Sequence, residues 1–498
     1  MRRPLLSLVP GVIHRATSFS LPGDRRAAIG AWLLIVAGAT SACGARSQLR
    51  EKAGDDVFNS SGAGLGGAGG AGSGGSGSGL GGSGGSACNG VPCDQPPPAT
   101  CLSSTTLSSY NPTGKCNGGV CVYTKVDAPC PAVCNGGACL PEPSSIHLTV
   151  GAQHSCVTAV TGGIKCWGHN DGGQLGNDTA TESGVPVPVK GLTSGMLALA
   201  ASGDTCAVTV AGALLCWGHN ESGQLGNGTM QGSLTPMGVS GLGSGARAVA
   251  AGGLHTCAVT AAGAALCWGE NSSGELGDGT AAASLVPVAV KGLSSGVTAV
   301  AVGFGHSCAI TGAKTVKCWG LDKYGELGNG AASEVPVKTP VDVKGLVSVA
   351  AIASSSLHTC ALDTSGLVSC WGHNLDGELG NGTTADSSVP QGVMGLPDGV
   401  TAIGVGTSHT CAVTKEGGVK CWGNNSFGQL GDGSIMKSSS PVDVQGLSSG
   451  VVAVALGFDH TCAVLTTGAV KCWGGNFYSQ LGNGTTTQSL VPVDVKGL

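Results

Sequence analysis

The chain has 498 residues, of which 90 are glycine and only 4% are aromatic, a balance of turns and short runs that excludes a helical bundle. Its net charge is −5 with no basic block, which leaves nucleic acid out as a partner. Twenty-three cysteines would be a liability in a reducing cytosol and point to an oxidising compartment.

Residues 27–42 are apolar and few, become rich in small side chains toward their end, and follow Asp24-Arg25-Arg26. The run is short for a membrane span and reads as a signal-peptide core. Thr40-Ser41-Ala42-Cys43 then resembles a bacterial lipobox, which implies a lipid on Cys43 and a lipoprotein of the bacterial cell envelope, anchored at the outer membrane. The plainer alternative is cleavage nearby with Cys43 incidental. Residues 1–43 are thus expected to be a signal peptide and 44–87 a Gly/Ser-rich tether. Residues 60–86 are almost wholly Gly, Ser and Ala, cannot bury a core, and have a mean reach of roughly 30 Å.

Between residues 88 and 140 come eight cysteines, Cys88, Cys93, Cys101, Cys116, Cys121, Cys130, Cys134 and Cys139. An even count in a short exported segment reads as four disulfides of open connectivity. Zinc is the competing reading, but it would want Cys-x-x-Cys knuckles, and Cys130/Cys134 is the nearest approach. Asn117-Gly118-Gly119 and Asn135-Gly136-Gly137 read as tight turns between close cysteines.

From residue 146 to 498 one motif is written seven times. Cys-Trp-Gly opens at Cys166, Cys216, Cys267, Cys318, Cys370, Cys421 and Cys472, at intervals of 50 to 52 residues, and uses seven of the eight tryptophans. Ten residues before each lies another cysteine, at Cys156, Cys206, Cys257, Cys308, Cys360, Cys411 and Cys462. Each unit parses into four short strands; in unit six they are 401–405, 409–414, 419–423 and 441–444. Proline in the fourth run (Pro287, Pro441, Pro492) marks a sheet edge. The predicted fold is all-β, a seven-bladed propeller with one repeat per blade. The ends of the ring are expected to meet in neighbouring or shared strands, and the tryptophans to fill the gaps between blades.

The Gly-x-x-His-x-Cys-Ala … Cys-Trp-Gly-x-Asn-x-x-Gly-Gln-Leu-Gly-x-Gly pattern resembles the regulator of chromosome condensation repeat, over the whole of 146–498. The resemblance implies a seven-bladed scaffold. That family's founding member acts on a nuclear GTPase, so a guanine-nucleotide exchange factor is one alternative function, against which the leader, the tandem cysteines and the lack of a basic tail all weigh.

The nine residues within each cysteine pair divide into three per strand and a three-residue turn, which sets the two cysteines opposite each other. Seven disulfides are therefore expected: Cys156–Cys166, Cys206–Cys216, Cys257–Cys267, Cys308–Cys318, Cys360–Cys370, Cys411–Cys421 and Cys462–Cys472. His154, His255, His306, His358, His409 and His460 share one slot that unit two fills with Asp204. Being on different blades, they need not converge on a metal, and are expected to brace the first turn by a side-chain hydrogen bond. Glu275, Glu326 and Glu378 alternate with Gln at another slot, which argues for backbone bonding and not for acid–base work. No catalytic, cofactor-binding or metal-binding residue is assigned.

What seven blades share holds the fold, so a site must lie where they differ. Apart from the repeated tryptophans, the aromatics of the repeats are Phe304, Tyr324, Phe427, Phe458, Phe477 and Tyr478, all in units four, six and seven. They fall in first and third connections, which emerge on one face of an up-and-down blade. They are the candidate partner-binding residues of a non-enzymatic protein-binding propeller held outside the cytoplasm, touching the membrane only through its lipid. The main alternative is a lyase or glycan hydrolase working in the central funnel.

Overall fold

The computed structural model describes residues 146–158 and 162–498, together with the backbone of nine short strands between residues 87 and 140. The expected leader, lipidated Cys43 and tether all lie outside the described residues. In the cysteine-rich stretch, the hairpin Lys115–Asn117/Val120–Val122 sets Cys116 opposite Cys121, and Val133–Asn135/Ala138–Leu140 sets Cys134 opposite Cys139. The two Gly-Gly pairs read as turns lie outside the described residues, as does the cysteine connectivity there.

From residue 146 the chain forms seven four-stranded antiparallel meanders, each built in sequence order. Blade six runs Ala402–Val405, His409–Val413, Val419–Gly423 and Ser438–Asp443. The first strands of successive blades adjoin around the axis, and the fourth is the outer edge. Proline stands fourth in every outer strand, Pro186 in blade one and Pro236 in blade two among them. There the register slips, so that Cys166 faces Val187 while Gly168 faces Ser183. The edge thus carries a bulge as well as a proline, both of which blunt it against further strand pairing.

Alternation along the second and third strands gives each blade two apolar faces. Cys411, Val413 and Cys421 face the gap with blade seven, where they meet Ala463 and Trp473; Ala412 and Trp422 face the opposite gap, with Cys360 and Cys370. Every gap repeats this: the cysteine pair and Leu of one blade against the Trp of the next. All seven tryptophans are 0% exposed. Each indole Nε1 donates to the backbone carbonyl of the Gln or Glu one blade earlier, from Trp217 to Gln174 at 2.9 Å and from Trp268 to Gln224 at 2.7 Å. Glycine is required beside it: a Cβ on Gly176 would stand 2.6 Å from the Trp217 Nε1. The glycine of Cys-Trp-Gly is equally constrained, with Gly168 at φ 107° and its missing Cβ 2.6 Å from the Gln153 carbonyl oxygen.

The cysteine pairs face each other in register, with Cα–Cα distances of 4.1 Å, and each forms a disulfide. The ring closes by neighbouring strands and none is shared between blades. Trp167 of blade one packs with Cys462, Cys472 and Leu481 of blade seven and donates to the Gln480 carbonyl at 2.9 Å, the same latch as at the other junctions.

Candidate binding face

The first and third connections of every blade but the second are tied together by backbone bonds, such as Glu270 N to Leu254 O at 3.0 Å and Asn424 N to Ser408 O at 2.7 Å. They make one face of the ring. Its loops are held by repeated polar residues. In every blade the Gln or Glu accepts from the backbone two residues earlier, for example Ser273 N to Glu275 Oε2 at 2.8 Å and Phe427 N to Gln429 Oε1 at 2.9 Å. The Asn of Cys-Trp-Gly-x-Asn had no assigned task. It folds the long third connection: Asn170 Oδ1 accepts from Leu175 N, while its Nδ2 donates to the Thr179 and Thr181 carbonyls, each at 2.9 Å.

The histidines do not brace their own first turn, and this corrects the sequence reading. Each reaches the next blade: His154 to Thr205 at 2.8 Å, His255 to Ser307, His306 to Thr359, His358 to Thr410, His409 to Thr461, and His460 to Ser155 across the closure at 2.9 Å. The Thr205 hydroxyl donates onward to the Gln174 carbonyl at 2.9 Å, so it accepts from His154, whose Nε2 carries the proton. Five of these buried imidazoles are held neutral: burial depresses His154, His255, His306 and His409 to about 3, and His358 to about 4. Among the described residues no group of His, Cys, Asp or Glu is arranged to hold a metal ion.

Asp204 breaks this ring. It is fully buried, its Oδ1 has no hydrogen-bond partner, and burial pushes its carboxyl up to about 8. Too short to reach Thr256, it leaves the blade two/three junction without its bond. Asp204→His is expected to supply that bond and raise stability by about 1 kcal/mol. It should also remove a pH dependence. Asp204 holds its proton more tightly when folded, so its contribution is full below the unfolded value of 3.8 and is lost as pH rises through about 8. Melting curves between pH 6 and 9 check both; a variant melting below the parent would contradict the account.

All six sequence-selected aromatics lie in connections of this face. Phe304, Phe458 and Phe477 are exposed, at 49%, 52% and 59%. Tyr324, Phe427 and Tyr478 are half-buried, because each finds a ring neighbour: Tyr324 against His373, Phe427 edge-on to Phe477 at 5.5 Å, and Tyr478 against His169 of blade one. Phe304 lies over Gly253, and its backbone N–H donates to Ser356 O of the next blade. The rings therefore spread along the arc from blade four to blade seven.

Blades one to three look different. His219 bonds both Asp171 and Glu221 at 3.1 Å; burial pulls its pKa down, but the two carboxylates outweigh it and the net shift is upward. His169 lies 3.4 Å from Asp171. This cluster joins residues about fifty positions apart, and only the blade spacing brings them together.

Residues 234–498 match the model of the RCC1-like domain, and residues 162–210 that of the regulator of chromosome condensation (RCC1) repeat. The Arabidopsis thaliana ultraviolet-B receptor UVR8 is 31% identical over 357 residues, covering 71% of this chain and 70% of its own. The human E3 ubiquitin-protein ligase HERC2 is 36% identical over 251 residues, 49% of this chain but only 5% of the ligase. Prp20p of Saccharomyces cerevisiae, a structure described with its binding to Gsp1p and histones, matches at a TM-score of 0.60 and 21% identity, over 71% of this chain and 88% of that one. Human WBSCR16 matches at 0.56 and 23%, over 64% and 87%. These two similarities concern the fold. Repeat, blade and family model agree, and the chain belongs to the RCC1 repeat family of seven-bladed β-propellers.

Proposed function

We propose that the chain is a non-enzymatic protein-binding propeller, displayed outside the cytoplasm on a lipid at Cys43, whose partner docks on the face of the first and third connections. The observation that carries this is the contrast between aromatics. Every repeat tryptophan is buried to 0%, yet Phe304, Phe458 and Phe477 stand about half exposed on one face, where folding has no use for them. Phe427 supports Phe477 edge-on, while Tyr324 and Tyr478 pack against His373 and His169 on the same face. Similar propellers that engage proteins, such as Prp20p with Gsp1p, favour a binding role over chemistry in the funnel.

The half-buried rings make a poor first test, since their loss disturbs packing. Phe304→Ser, Phe458→Ser and Phe477→Ser together are expected to abolish partner capture while the melting temperature stays within a few degrees. Capture that survives the triple change would overturn the reading. The envelope location is checked separately by mass spectrometry of the N-terminal peptide, which should begin at an acylated Cys43.

A further inference from the structure

We propose that the docked partner is a basic protein segment: Lys or Arg side chains interspersed with apolar ones. The proposal rests on the protein-binding reading above and names the chemistry of what binds.

The two faces of the ring differ sharply in charge. On the docking face, the third connections of blades one to three (169–182, 219–232 and 270–283) contain seven acids and no Lys or Arg, of which Asp178 is paired with Lys190 and Glu275 is buried. Of these acids, Asp171 and Glu221 have side chains 61% and 70% exposed, and Glu182 is 46% exposed. The first connections of the same blades carry no cation either. Over blades four to seven, the only lysines in these connections are already engaged, Lys323 with Glu334 and Lys437 with Asp376. The cations lie elsewhere: Lys190, Lys291, Lys314, Lys344, Lys415 and Lys496 occupy the connections of the opposite face.

The docking face therefore offers an acidic arc, met within the face only by His169 and His219, beside an arc of exposed phenyl rings. A purely apolar partner would bury these carboxylates unpaired, and an acidic one would be repelled. Nucleic acid and anionic lipid fail on the same ground. A segment with both cationic and apolar side chains satisfies both arcs at once. Because the acids are exposed, their share acts through steering and salt dependence more than through buried pairs.

The test uses the full-length oxidised chain, immobilised, and a library of random peptides displayed on phage. Three targets are panned in parallel: the parent, the Phe304/Phe458/Phe477 triple serine variant, and a neutralised variant carrying Asp171→Asn, Glu221→Gln and Glu270→Gln. The expected result is enrichment of peptides with net positive charge and aromatic or aliphatic residues. These should bind at least about tenfold more weakly to both variants and weaken as salt rises. Peptides lost on the phenylalanine variant but without charge bias, or kept at full strength by the neutralised variant, would overturn the basic partner and leave the docking face standing. Peptides that ignore the phenylalanine variant altogether would overturn the docking face itself. Matching melting curves for the three targets ensure that a lost peptide reports a lost surface.

Discussion

Reduction of the seven blade disulfides is expected to unfold the propeller at temperatures where the oxidised form is stable. Each closes a loop of sequence separation 10, for which a contribution of about 2–3 kcal/mol is typical. Seven together match or exceed the roughly 5–15 kcal/mol that separates most folded domains from their unfolded chains. Their placement adds to the effect. Each cysteine pair is 0% exposed and packs against the next blade's tryptophan, so opening one loosens a junction as well as a hairpin. A single-pair change, Cys257→Ala with Cys267→Ala, should lower the melting temperature by several degrees, and full reduction with thiol blocking should abolish the transition. All fourteen blade thiols blocked on a chain that still melts as before would contradict this.

Acid should act almost as strongly. Five buried imidazoles, His154, His255, His306, His358 and His409, have folded pKa values of about 3 to 4 against 6.5 unfolded. Depressed values mean that the folded state resists protonation. Their contribution is therefore fully present above 6.5 and lost as pH falls toward 3. By about pH 5 each ring costs on the order of 2 kcal/mol. Asp204 opposes this in the same window, since acidification favours its folded form, but it is one group against five. The melting temperature is expected to drop steeply between pH 7 and pH 5, and His306→Gln should flatten the drop. Equal melts at pH 7 and pH 5 would show that the rings are not buried neutral.

Both predictions turn on residues whose visibility in the sequence differs. The disulfides were legible because a pair with three strand residues on each side of a three-residue turn must face each other, and the structure keeps that geometry: Ala207 faces Leu215, Val208 faces Leu214, and Thr209 N bonds to Ala213 O. The histidine bonds were not, because the acceptor lies one blade away, 51 residues on for His154. A signal existed: the residue after the slot is always Ser or Thr, at Ser155, Thr205, Thr256, Ser307, Thr359, Thr410 and Thr461. A hydroxyl kept at a buried position needs a partner, and in six of the seven blades the histidine of the preceding blade is one.

The aromatic arc was placed by strand parity alone, which fixes the face but not the exposure. Whether a loop ring stands free depends on what the next loop offers. Tyr478 found His169, and Phe304 found only a glycine. The charge contrast between the faces was hidden for a related reason: acids and lysines alternate along the chain, and only the strand reversals gather most of the lysines on the side away from the aromatic arc.

The most direct measurement of the central claim is site-specific photo-crosslinking in the cells that make the protein. A photoreactive residue replaces Phe477, 59% exposed on the aromatic face, or Val347, 72% exposed on the opposite one. The account predicts a discrete protein adduct from position 477 and none from 347; an adduct from 347 alone would place the partner on the wrong face and contradict it.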